Sequence, residues 1–127
     1  SNNDIKKVIK VVVIDDDEIL YDLSSVKAIA GTNTDFVKQN SDIFIKQVQD
    51  IMQNLKDSFH ENDFERVRNL AHGIKPSIDN MGIKSLHTEI RELEVIEWDM
   101  SSKAELGKRI EHIERILNKV CDQLNEL

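Results

Sequence analysis

His72 stands in the stretch Leu70-Ala71-His72-Gly73-Ile74-Lys75-Pro76-Ser77-Ile78-Asp79-Asn80-Met81-Gly82, where an imidazole has cationic neighbours at helical spacing. Val67, Ala71, Ile74 and Ile78 recur every three or four positions, as the buried stripe of an amphipathic helix does. Turning by about 100 degrees per residue, that helix points His72 roughly away from the stripe and toward solvent. Arg68 then lies one turn before the histidine, Lys75 and Pro76 one turn after it, and Asp79 two turns after it. Two cations depress the basicity of a neighbouring imidazole, whose unperturbed pKa is about 6.5, and favour a neutral, nucleophilic ring near pH 7. A phosphoryl group on that ring would meet charge-assisted contacts from the ammonium of Lys75 and the guanidinium of Arg68. The same spacing is also that of a plain solvated helix face, so the geometry by itself leaves both readings open.

Metal chemistry finds less support. His60, His72, His87 and His112 show no paired ligand spacing, such as His at i and i+4 with carboxylates, so no metal site is expected, and all but His72 read as surface residues. Cys121 is the only cysteine, which rules out an internal disulfide; within an apolar helical stripe it reads as a small buried hydrophobe. The formal charge of −7 over 127 residues argues against a nucleic-acid partner, because a phosphate backbone is held by clustered Lys and Arg. No apolar run reaches the roughly 18 residues of a membrane span, and Ser1-Asn2-Asn3 reads as a cloning remnant rather than a signal peptide. The expectation is a cytoplasmic setting without direct membrane contact, either as a free protein or as the cytoplasmic part of a membrane-anchored chain.

The elements that must position His72 follow from apolar periodicity and cap residues. Residues 8–14 are almost all β-branched and end at Asp15-Asp16-Asp17-Glu18, so residues 1–20 read as a strand-like extension or linker and residues 21–127 as one domain. A short helix over residues 26–30 has Ser24 as its cap and Gly31 as its stop. Asn33 or Thr34 caps a long helix whose stripe is Phe44, Val48, Ile51, Met52 and Leu55 and which should end near Ser58. Asn62-Asp63 opens the His72 helix, whose stripe runs Phe64, Val67, Ala71, Ile74, Ile78, Met81 up to Gly82. A fourth helix carries Leu86, Ile90 and Leu93, and a capping box of Ser102 and Glu105 opens the last. There Leu106, Ile110, Ile113, Leu117, Val120, Leu124 and Leu127 alternate spacings of four and three, a bundle seam or a coiled-coil dimer. Three further amphipathic helices in the same chain need a partner face, which favours packing within the chain. The expected fold is an all-α, antiparallel four-helix bundle from residue 34 to the end, with the short helix over one end and a monomer able to satisfy its own stripes.

Ala71-His72-x-Ile74-Lys75-x-Ser77-x-x-x-Met81-Gly82 resembles the signature of histidine phosphotransfer domains of multistep phosphorelays. Upstream, Tyr21-Asp22-Leu23-Ser24 and Gly31-Thr32-Asn33-Thr34-Asp35-Phe36 resemble the family's entry into its first two helices, and Asn62-Asp63-Phe64 the turn before its active helix. Downstream, Leu86 to Glu94 reads like its next helix, so the resemblance spans residues 21–127. It implies that His72 accepts a phosphoryl group from an aspartate of a response-regulator receiver domain and passes it to another. It further implies that Lys75 helps neutralise the phosphate and that Gly82 leaves space for the receiver, docked over Arg68, Asn69, Gly73, Pro76, Asp79 and Gly82. The aspartate and its Mg²⁺ belong to the receiver, so the chain would be a phosphocarrier rather than an enzyme and would need no cofactor. Where the family usually has a small residue, often Gly, this chain has Pro76. Inside a helix a proline costs about 3 kcal/mol and frees the carbonyl four residues back, that of His72, which suggests a slight kink there.

Three other readings carry different consequences. A sensor-kinase dimerisation domain would follow its histidine with an acidic residue, whereas Gly73 follows His72, and no Gly-rich nucleotide-binding segment comes after it. A receiver domain is suggested by Val11-Val12-Val13-Ile14-Asp15-Asp16-Asp17 and by Lys75-Pro76, but it needs four further strands where residues 36–81 have helical period throughout. A non-catalytic helical scaffold domain would keep the bundle and pass no phosphate; retention of both His72 and Lys75 argues against it.

Overall fold

Every regular element among the described residues is helical. The computed structural model describes residues 18–127, so the strand-like expectation for residues 8–14 lies outside the described residues. The α-helices are α1 (Ser24–Ala30), α2 (Thr34–His60), α3 (Phe64–Asn80), α4 (His87–Val95) and α5 (Lys103–Asn125), with 3-10 turns at Lys84–Leu86 and Met100–Ser102. No described helix is long and apolar enough to cross a membrane.

Side-chain caps set most of the boundaries. The Asn33 side chain accepts from the amide of Phe36 to start α2, and Asp63 accepts from that of Arg66 to start α3. Two expected caps are placed differently. Ser24 is the first residue of α1 rather than its cap, and Asp22 Oδ1 accepts from both its amide and its hydroxyl. The capping box closes three residues earlier than expected, between Asp99 and Ser102 around the second 3-10 turn, because the Asp99 carboxylate accepts from the free amides of Ser101 and Ser102. Glu105 turns instead to Arg109, at 3.1 Å. Leu86 falls in the 3-10 turn before α4, and α2 runs on to His60.

The apolar stripes meet in one core. Phe44, Val48, Met52 and Leu55 of α2 are buried, as are Val67, Ala71, Ile74 and Ile78 of α3 with Met81 at its end, and Ile90 and Leu93 of α4. On α5 the buried set is wider than the seven-residue seam: Ile116 and Cys121 join it, while Leu127 lies beyond the helix end and is 58% exposed. A stripe that wide suits a helix packed against two neighbours in its own chain better than the narrow seam of a two-stranded coil. α5 packs on both α2 and α4, α3 also packs on α2 and α4, and α1 lies on α2. Burial raises the Cys121 thiol to about 11, so this cysteine is a core hydrophobe and a poor nucleophile.

Residues 18–23 bind across one end of this core. Leu20 and Leu23 are buried. The Leu20 amide donates to Gln123 Oε1 at 3.0 Å, Gln123 Nε2 donates to the Glu18 carbonyl at 2.6 Å, and the Asp22 amide donates to the Met81 carbonyl at 3.0 Å. α3 ends there in a Schellman turn, with the amide of Ile83 bonded to the carbonyl of Ile78, that of Gly82 to Asp79, and Gly82 at φ +61°. Pro76 does not interrupt α3, which stays α-helical from Phe64 to Asn80.

Candidate functional site

α3 and α4 pack side by side, and polar groups from each line the outer rim of their contact. On α3 the sequence places Arg68, Lys75 and Asp79 around His72; on α4, His87, Arg91 and Glu94 recur at i, i+4 and i+7 beside the buried Ile90 and Leu93. The two polar rows meet as charge pairs. His72 is well exposed, with 71% of its side chain accessible, and its Nδ1 lies 2.5 Å from Glu94 Oε1. The other oxygen of the same carboxylate lies 2.6 Å from Lys75 Nζ, so Glu94 bridges the histidine and the lysine.

That bridge decides which ring nitrogen can react. A carboxylate is an acceptor, so Nδ1 carries the hydrogen that faces Glu94, and in the neutral ring the lone pair is left on Nε2, away from the bridge. The expected pair of flanking cations is thereby altered: one of them, Lys75, is balanced by a carboxylate that also holds the ring. Glu94 is kept below the usual carboxylate range first by the Lys75 ammonium and then by His72. Because its pKa is lowered on folding, its contribution is fully present above the ordinary carboxylate value of about 4.3 and is lost as the pH falls through the lower folded value. The Nδ1 and Nε2 chemical shifts of His72, followed by ¹⁵N NMR, are expected to report that loss as a transition below the range of a free glutamate.

The remaining histidines are held otherwise. His87 Nδ1 faces both Arg91 Nη1, at 3.0 Å, and the Asp79 carboxylate, at 3.4 Å, and Arg91 Nη1 also meets Asp79 Oδ1 and the His87 carbonyl. His112 Nε2 is 3.1 Å from Glu89 Oε1 between α4 and α5, with only 18% of its side chain accessible. Burial raises the Glu89 carboxyl, an effect opposed by His112. His60 is exposed at the end of α2 and meets the Phe59 ring edge-on. Of the four, His72 alone has at its Nδ1 a carboxylate that it shares with a lysine.

The other residues singled out by sequence are distributed unevenly. Arg68 lies one turn before His72 and 3.8 Å from Glu97, a loose pair in which Glu97 is 89% exposed. Asn69, Gly73 and Pro76 are exposed on the same outer side of α3, and apart from its chain neighbours and the backbone of its own helix nothing lies within 4 Å of where a Cβ on Gly73 would stand. Asp79 is tied to α4 by two bonds from Arg91, at 2.5 and 3.1 Å, which hold its carboxyl below the usual range. Gly82 is about 15 Å along the helix from His72 at 1.5 Å per residue. The room left by its missing side chain is occupied from within the chain, since a Cβ there would stand 2.4 Å from the Asp22 carbonyl oxygen. Sequence reasoning missed Glu94, Arg91 and Glu97, although the i, i+4, i+7 polar row of α4 was there to be read against the matching row of α3. No group of three His, Cys, Asp or Glu side chains among the described residues could hold a metal ion.

No family model, curated protein or solved structure matches this chain.

Proposed function

We propose that the chain is a histidine phosphotransfer domain, an antiparallel four-helix bundle whose His72 carries a phosphoryl group between receiver domains in a phosphorelay. The observation that carries this reading is the Glu94 bridge, which holds His72 and Lys75 together and leaves Nε2 as the free nucleophile of an exposed ring. The Nε2 lone pair attacks the phosphorus of an aspartyl phosphate, the bond from phosphorus to the aspartate oxygen breaks, and the aspartate leaves as a carboxylate. The ring then bears phosphate on Nε2 and a proton on Nδ1, the charge of which Glu94 offsets. Transfer onward is the reverse, with the carboxylate of a second receiver as nucleophile. Lys75 is one side-chain reorientation from the phosphoryl oxygens, and Arg68, only loosely paired, is the second cation within reach. Mg²⁺ enters with the receiver, and catalysis by this chain is confined to orientation and charge.

This reading makes the chain a monomeric phosphocarrier rather than an enzyme, cytoplasmic, either free or as a module of a hybrid sensor kinase. The test is incubation of the folded chain with a panel of phosphorylated receiver domains and Mg²⁺, following acid-labile, base-stable label. Absence of label from every receiver would reject the carrier and leave a helical scaffold. Glu94 is a positioning residue here. Glu94→Gln can still accept from Nδ1 but brings no charge to balance the phosphorylated ring, and is expected to slow transfer about 10- to 100-fold with circular dichroism and melting temperature nearly unchanged. A Glu94→Gln variant that transfers at the wild-type rate would remove the bridge from the mechanism.

A further inference from the structure

Pro76 has no part in the transfer step as described above. Lacking an amide hydrogen, it cannot close the helical bond to the carbonyl of His72. α3 nonetheless stays helical on both sides, so this carbonyl is held in a fixed direction without its intrahelical donor. No described side chain donates to it. The surroundings are open: His72, Gly73 and Pro76 are all exposed, and nothing from beyond their own helix lies within 4 Å of a Cβ placed on Gly73. An interior proline destabilises a helix, and nothing in the packing of this exposed position requires one.

We propose that the His72 carbonyl oxygen, released by Pro76, is a recognition point for the receiver domain, which brings an N–H donor to it while its phosphoryl group meets Nε2. The inference rests on the phosphotransfer reading and adds a determinant of partner choice to it. Acceptor and nucleophile belong to the same residue, so a donor matched to the carbonyl fixes the docking register at the reacting atom. A receiver without that donor would bury the acceptor unpaired and be disfavoured, which makes the interaction selective as well as attractive. With Ala or Gly at this position the helix itself would satisfy the carbonyl, and receivers with and without the donor would be treated alike.

The test compares wild type with Pro76→Ala and Pro76→Gly, both of which restore the amide hydrogen. Melting temperature and the rate of phosphoryl transfer from each member of a panel of phosphorylated receiver domains are measured. Pro76→Ala is expected to melt higher than wild type yet accept phosphate about three- to tenfold more slowly from the receivers that wild type prefers. The spread of rates across the panel should narrow in both variants. A more stable Pro76→Ala with unchanged rates and ranking would overturn the proposal, and so would narrowing in Ala but not in Gly, which would assign the effect to helix stiffness. If wild type itself takes no label from any receiver, the phosphotransfer reading falls and this inference with it; unchanged selectivity in a labelled protein removes only the role of the carbonyl.

Discussion

Incubated with a phosphorylated receiver domain, wild type is expected to acquire acid-labile, base-stable label and His72→Gln none, a loss of the whole signal. The completeness of the loss follows from how the other imidazoles are held. His87 is accessible and sits on the same rim, but the carboxylate facing its Nδ1, Asp79 at 3.4 Å, is tied to Arg91 rather than shared with a lysine. His112 is half-buried against Glu89, and His60 has no basic group such as Lys75 beside it on a carboxylate bridge. His87→Gln is therefore expected to keep its label. Label that moved to His87 in the His72→Gln variant would show that exposure, not the Glu94 bridge, selects the acceptor. Gln at position 72 preserves helix propensity and an amide that can still meet Glu94, so the helical fold should melt close to wild type.

How far the sequence could take this argument depends on whether a property belongs to one helix or to two. His72 could be placed opposite Val67, Ala71, Ile74 and Ile78 because helical period fixes the face of every residue on one element, and the exposed ring agrees. The stripes of α2, α3 and α4 were likewise legible, as was the burial of Cys121; on α5 the seam left out Ile116, on a flank that a second neighbour covers, and took in Leu127, which lies exposed beyond the helix end. Glu94 was not legible as a partner of His72, since the two are 22 residues apart and meet only through the way α3 and α4 are set side by side. Two flanking cations, the feature most visible in sequence, gave an incomplete electrostatic picture for that reason. Local competition between caps was also hard to read: Asp22 and Asp99 displace Ser24 and the Ser102–Glu105 box because a nearby carboxylate is the stronger acceptor for free amides.

The two glycines assigned to the docking surface should separate sharply when each is replaced by alanine. Gly82 has φ +61°, a conformation that costs a side-chain-bearing residue about 1–2 kcal/mol before any contact is considered. A Cβ there would stand 2.4 Å from the carbonyl oxygen, 2.6 Å from the Cβ and 2.9 Å from the amide nitrogen of Asp22, so backbone and not a flexible side-chain tip would have to move. The segment that must yield is the one bonded to Met81 and Gln123, with Leu20 and Leu23 in the core. Together these effects are expected to destabilise Gly82→Ala by about 2–4 kcal/mol, a fall in melting temperature of roughly 10–20 °C. Hydrogen exchange should quicken first at the amides of Leu20 and Asp22, which donate to Gln123 and Met81. Gly73→Ala meets open space on a regular helix and should gain about 0.5–1 kcal/mol from the lower entropy of its unfolded chain. Its methyl group would instead stand beside His72 on the face proposed to meet the receiver, so transfer is expected to slow while stability rises. If Gly82→Ala melted like wild type and lost only transfer, the glycine would belong to the partner's footprint and not to the closure of this chain on itself.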